Sequence, residues 1–232
     1  MKTQNIRVKL RDGEMGAYLA IPDQTPAGAV IAIMEIWGVN DTMRHHAHEF
    51  AEAGFVCLVP DLFWRQEPGV ELSDGNPEHV RKAFDLYYDF DYDLAVRDME
   101  DTWHFLQTLP ECNGKVGAVG FCIGGGYVNM MAVRFADLAA AVPFYGPQPS
   151  AADTAKIKAP LLIHYAGNDD YINPRWPAWE AALKANGVKY EAYIYPGTQH
   201  GFHNDTTPRY DEAAAKLAWS RTLAFFNENL KA

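Results

Sequence analysis

Apolar positions along the chain fall into short runs that switch between a period of two and a period near 3.6. Residues 6–10 and 16–21 alternate around Asp12-Gly13, the pattern of a hairpin. Residues 29–34 are apolar throughout, which predicts a strand covered on both faces. A helical period follows over 41–53, and a second continuous strand over 55–60. An insert covers 62–91 and leads into a helix over 92–109. Further strands are predicted over 116–121, 139–145, 160–165 and 190–195, with helices over 124–135, 176–185 and 211–230. This alternation predicts an α/β fold with a mostly parallel central sheet and helices on both faces, built as one domain over 1–232. Ligands of such sheets bind beyond the carboxyl ends of the strands. Glu35, Cys122, Asp169, Asp170 and His200 all come shortly after a predicted strand.

Composition narrows the function without naming it. A chain of 232 residues, 48% hydrophobic and 22% charged, is long enough and apolar enough for a sizeable core. Its formal net charge of −10 argues against nucleic acid, whose phosphates need clustered Lys and Arg. No apolar run approaches the roughly 20 residues needed to cross a bilayer, so no membrane association is expected. Three cysteines cannot all pair, and no opening segment has the build of a signal peptide. The expectation is a reduced, cytoplasmic setting.

The most informative stretch is Gly120-Phe121-Cys122-Ile123-Gly124-Gly125-Gly126. A nucleophile between a strand and a helix needs a sharp turn, and small residues two before and two after it let the backbone close. Such a turn exposes the sulfur at a helix N-terminus, where dipole and unpaired N–H groups favour thiolate. The N–H of Ile123 then faces the place where an oxyanion forms. Two other readings of the stretch stand beside this one. It could be a buried structural cysteine next to a glycine-rich packing turn. A dinucleotide-binding turn would want G-x-G-x-x-G early in the chain, and the spacing here differs.

Order along the chain favours chemistry. Nucleophile, acid and histidine follow one another in α/β-hydrolases, and Cys122 is followed by Gly167-Asn168-Asp169-Asp170 and then by Gly197-Thr198-Gln199-His200. His200 would relay the proton and an aspartate would fix its tautomer; Asp169 is preferred, with Asp170 the alternate acid. His45, His46 and His48 lack the pairing and convergent carboxylates of a ligand set and read as a solvated helix face. No metal and no cofactor are expected.

The set Glu35-Ile36-Trp37-Gly38-Val39-Asn40, Pro60-Asp61-Leu62-Phe63, Gly120-Phe121-Cys122-Ile123-Gly124-Gly125 and His200-Gly201-Phe202 resembles the dienelactone hydrolase (carboxymethylenebutenolidase) family of α/β-hydrolases over nearly the whole chain. The resemblance implies hydrolysis of an ester or lactone, an enol lactone foremost, through a thioester on Cys122 with His200 and Asp169. It implies that Glu35 holds the resting thiol and takes its proton, and that the N–H of Ile36 is a second oxyanion donor. The family also carries arginines for a substrate carboxylate, one of them where this chain has Asn204; Arg81 is the nearest counterpart to the other. Trp37, Tyr87, Tyr145 and Phe202 are further candidate substrate contacts, and Asn204 could offer a hydrogen bond without charge. Other activated esters as substrates, or a non-hydrolytic thiol protein on the same scaffold, are the alternatives. The expected partner is a small ester or lactone, and the expected assembly a monomer or small homo-oligomer.

Overall fold

In the computed structural model, which describes residues 1–231, the opening hairpin is longer than its apolar alternation. β1 (Lys2–Leu10) pairs antiparallel with β2 (Gly13–Ile21), from Lys2↔Ile21 to Leu10↔Gly13, leaving a two-residue turn at Arg11-Asp12. β3 (Ala27–Ile33) is buried at all seven positions, as its uninterrupted apolar run predicts. α1 (Asp41–Glu52) follows, capped by the Asn40 side chain, which accepts from the N–H of Met43. Its buried residues Met43, His46, Ala47, Phe50 and Ala51 recur at helical spacing and form one stripe. β4 (Val56–Pro60) is again fully buried. Removing an Ile or Val side chain of such strands from water contributes about 1.5–3 kcal/mol each, which makes these the firmest elements to predict.

The described residues group into two compact units. The first holds Met1–Val116 with the end of the chain from Leu230, and its strands lie in the order β1-β2-β4-β3, with β2–β4 antiparallel and β3–β4 parallel. It also carries α2 (Pro77–Tyr88) and α3 (Tyr92–Thr108). α2 lies inside the stretch read as an insert. Asn76 caps it and Pro77 opens it, yet Ala83 is its one buried residue, so the helix has almost no apolar stripe to read.

The chain passes to the second unit, Gly117–Asn229, within β5 (Cys112–Phe121). There β5, β6 (Ala141–Phe144), β7 (Leu161–Asn168) and β8 (Tyr190–Gln199) are neighbours in that order and all parallel. α4 (Ile123–Arg134) packs on β6, and α5 (Trp176–Ala185) and α6 (Glu212–Leu230) follow β7 and β8. Strand–helix alternation is therefore as the sequence predicts. Among the described residues, no helix is long and apolar enough to cross a membrane.

Candidate active site

β5 ends at Phe121 and α4 begins at Ile123, so a single residue, Cys122, makes the reversal. Cys122 holds φ 57° and ψ −117°, a conformation that an L residue adopts only when its surroundings impose it. Its N–H continues the β5–β6 pairing to the carbonyl of Phe144 at 3.1 Å, while its carbonyl accepts the N–H groups of Gly125 and Gly126 and so starts the helix. Gly120 allows the closure: a Cβ there would lie 2.2 Å from the Gly124 carbonyl oxygen. The sulfur makes no capping bond to the helix, and Ile123 is the first residue of α4, which puts its N–H at the positive end of the helix. Ile123 itself is buried.

His200 follows β8 directly, and its Nδ1 lies 2.7 Å from Asp169 Oδ2 beyond β7. The carboxylate is held from its other oxygen, where Oδ1 accepts the N–H groups of Tyr171 at 3.2 Å and Ile172 at 3.0 Å. Asp169 is buried, its side chain 3% exposed, whereas Asp170 is exposed. His200 is also hydrogen-bonded to Cys122, and with Nδ1 engaged, Nε2 is the nitrogen left for the sulfur. Burial of His200 opposes its charge. The hydrogen bonds to Asp169 and Cys122 and the negative charges of both outweigh that and push the imidazole up to about 10. Asp169 is pulled by burial toward the neutral acid, but His200 and the two N–H groups hold it below the usual carboxylate range.

The ring of Tyr145 packs 5.0 Å from that of His200, and Tyr145 is the other non-glycine residue with positive φ, 36°, among those described. Phe202 is fully buried, with its ring 5.5 Å from Tyr145 and 5.0 Å from Tyr195. Asn204 is 4% exposed, and its Oδ1 accepts from the N–H and hydroxyl of Thr206 at 3.0 and 2.7 Å. That oxygen is thus spent on shaping the loop after His200. Arg209, which no sequence signal singles out, donates from Nε to the His200 carbonyl at 2.8 Å.

The remaining predicted residues belong to the first unit. Glu35, Ile36 and Trp37 follow β3 and are buried, Arg81 is on an exposed face of α2, and Tyr87 is half-buried with its ring 5.4 Å from Tyr88. The three α1 histidines do not share a solvated face. His45 is exposed, His46 is buried with Nδ1 3.1 Å from Glu49, and His48 bonds the Tyr18 hydroxyl at 2.7 Å. Helical spacing turns neighbouring residues in different directions, which a cluster in sequence hides. Asp61, of the Pro60-Asp61-Leu62-Phe63 stretch, is a buried turn former: its oxygens accept the N–H groups of Phe63 and Gly69. It lines a first-unit cleft of about 340 Å³ that includes none of the predicted site residues.

A family model described as the dienelactone hydrolase family matches residues 15–230. Carboxymethylenebutenolidase 1 of Cupriavidus pinatubonensis is 30% identical over 96% of this chain and 96% of its own. The solved structure of a protein from Klebsiella pneumoniae subsp. pneumoniae superposes with a TM-score of 0.88 at 25% identity, covering 98% of both chains. Dienelactone hydrolase from Anabaena variabilis shares the fold, with a TM-score of 0.73 at 22% identity over 99% of both chains.

Proposed function

The chain belongs to the dienelactone hydrolase family of α/β-hydrolases, which hydrolyse esters and lactones, and from that premise we propose that it works through a Cys122–His200–Asp169 set and a thioester intermediate. The observation that carries this reading is His200, bonded at once to the buried carboxylate of Asp169 and to the cysteine at the strained turn. Sγ of Cys122, as thiolate beside imidazolium, attacks the substrate carbonyl carbon, and the carbonyl electrons move onto oxygen. The N–H of Ile123, at the start of α4, is the oxyanion donor. Collapse expels the alkoxide or enolate, which takes the proton from His200 and leaves the acyl group on sulfur. Neutral His200 then removes a proton from water, the hydroxide attacks the thioester, and thiolate departs as the acid is released. The further roles that the resemblance implies, Glu35 as holder of the thiol and the N–H of Ile36 as a second donor, rest on the sequence pattern alone.

A thiolate is itself a good leaving group. In the tetrahedral adduct a poor alkoxide leaves more slowly than sulfur, and the adduct reverts to substrate. The proposed substrates are therefore esters with stabilised leaving groups: enol lactones of the dienelactone kind and aryl esters. The test compares kcat/KM for a dienelactone, 4-nitrophenyl acetate and ethyl acetate in the wild type, Cys122→Ala and Cys122→Ser. The dienelactone and the aryl ester are expected to exceed the alkyl ester by at least about 100-fold, close to 3 kcal/mol in the barrier. Cys122→Ala is expected to be inactive on all three. Equal rates on the three esters, or undiminished turnover in Cys122→Ala, would overturn the reading.

A further inference from the structure

Asp169 and His200 each stand two residues beyond an irregularity that joins β7 to β8. The ladder runs in step from Leu161↔Tyr190 to Ala166↔Tyr195 and resumes at Asn168↔Gln199. One residue of β7, Gly167, therefore faces three of β8, Pro196-Gly197-Thr198. A bulge of this kind removes regular ladder partners. The Gly167 N–H goes instead to the hydroxyl of Thr198 at 3.2 Å, and that hydroxyl donates to the Tyr195 carbonyl at 2.8 Å. The approach is so close that a Cβ on Gly167 would lie 2.5 Å from the Tyr195 carbonyl oxygen. Asn168 adds a bond from Nδ2 to the Gly197 carbonyl at 3.3 Å. Thr198 is 3% exposed, so water does not compete for its hydroxyl. Two residues beyond Gly167 and Thr198, Asp169 and His200 meet at 2.7 Å.

We propose that Thr198 is a positioning residue whose hydroxyl staples the end of β7 to the end of β8 and thereby sets the distance and ring orientation of the Asp169–His200 pair. The inference rests on the catalytic reading of Cys122, His200 and Asp169. The hydroxyl acts as acceptor and donor together, so it fixes two backbone segments against each other through one side chain. Catalytic pairs need their geometry held to within about 0.5 Å, and short side-chain staples meet that tolerance where a flexible loop does not. Valine has the shape of threonine but can neither accept from Gly167 nor donate to Tyr195.

The experiment uses the full chain with Thr198→Val, Thr198→Ala and Thr198→Ser. On 4-nitrophenyl acetate the Val and Ala variants are expected to lose about 10- to 100-fold in kcat, the effect of a small misplacement. KM should change by no more than about twofold, since ground-state binding is untouched. Thr198→Ser keeps the hydroxyl and should restore most of the rate. The second readout is the NMR titration of the His200 imidazole. Its midpoint should fall in Val and Ala, where Asp169 is less well placed to oppose desolvation, and return in Ser. Wild-type kcat and titration in a folded Val or Ala variant would overturn the proposal, as would a serine variant no better than alanine. If Cys122→Ala retained full activity the catalytic reading would fail instead. The His200 titration across the Thr198 variants would then decide the staple by itself.

Discussion

Cys122 is held at φ 57° with no side-chain cap, so its conformation costs on the order of 1–3 kcal/mol that the surrounding packing must offset. The return on that strain is the sulfur's partnership with His200, and the titration of His200 makes it measurable. An exposed imidazole titrates near 6.5, as it does in the unfolded chain, whereas His200 is pushed up to about 10 in the fold, burial notwithstanding, by Asp169 and then Cys122. A proton retained in this way contributes stability that is complete below the unfolded value and is lost as pH rises through the native one. Asp169 works with the opposite sign, because its native value lies below the usual carboxylate range. Its contribution is present above about 4 and is lost only as pH falls further. Asp169→Asn keeps the size of the side chain and removes the carboxylate's own contribution together with its share of the His200 effect. The gap in melting temperature between wild type and Asp169→Asn is expected to be widest between about pH 5 and 6 and to narrow steadily toward pH 10. Melting both proteins across that range checks it, and a gap that stays constant up to pH 10 would mean that His200 does not retain its proton through Asp169.

At the scale of elements, the elbow depends on how near the end of β5 comes to the start of α4. Because an added Cβ at Gly120 would meet a backbone oxygen, which cannot rotate away as a side chain can, Gly120→Ala must push α4 off the strand. The expected cost is about 2–3 kcal/mol of unfolding free energy, seen as a lower urea midpoint at unchanged slope. A midpoint within error of wild type would show that the turn has slack. The same elements explain what could be read without coordinates. β3 and β4 announce themselves because every position is apolar, and α1 because its stripe repeats at helical spacing. α2 stays hidden because it buries so little, although Asn76-Pro77-Glu78 spells a helix start. β7 and β8 run three and four residues past their predicted ends, at 168 and 199 rather than 165 and 195. Those extensions are held by the bulge and by Thr198, not by an apolar pattern. Hydrogen bonds of that sort leave little trace in hydrophobicity.

Across the whole molecule, the order Cys122, Asp169, His200 and their places after strands made the candidate site legible, since topology alone carries strand ends to one edge of a parallel sheet. The choice between Asp169 and Asp170 was not legible, because a one-residue register in a loop is set by which carboxylate can take the N–H groups of Tyr171 and Ile172. Nor was the local engagement of Asn204 with Thr206. A buried group outside the site has a consequence for the whole chain. His164 of β7 is fully buried, and burial first, then the charge of Arg221, pushes its imidazole down to about 3. The Thr222 hydroxyl donates to Ala218, so it must accept from His164 Nε2, which leaves Nδ1 to accept from the Tyr195 hydroxyl. A second proton on the ring has no acceptor in that arrangement. Unfolding frees His164 to titrate near 6.5, so the unfolded chain binds the extra proton first and stability falls as pH drops from about 6.5 toward 3. Net charge pulls the other way at the start of that range: at −10 near pH 7 and a pI of about 5.2, mild acidification relieves self-repulsion. His164→Gln should therefore lower the melting temperature at neutral pH by removing packing and hydrogen bonds, yet make it less sensitive to acid. The measurement is the slope of melting temperature against pH between 6.5 and 4 for both proteins. A shallower slope in the variant assigns the difference to this one imidazole, and parallel slopes would assign the acid sensitivity to the carboxylates.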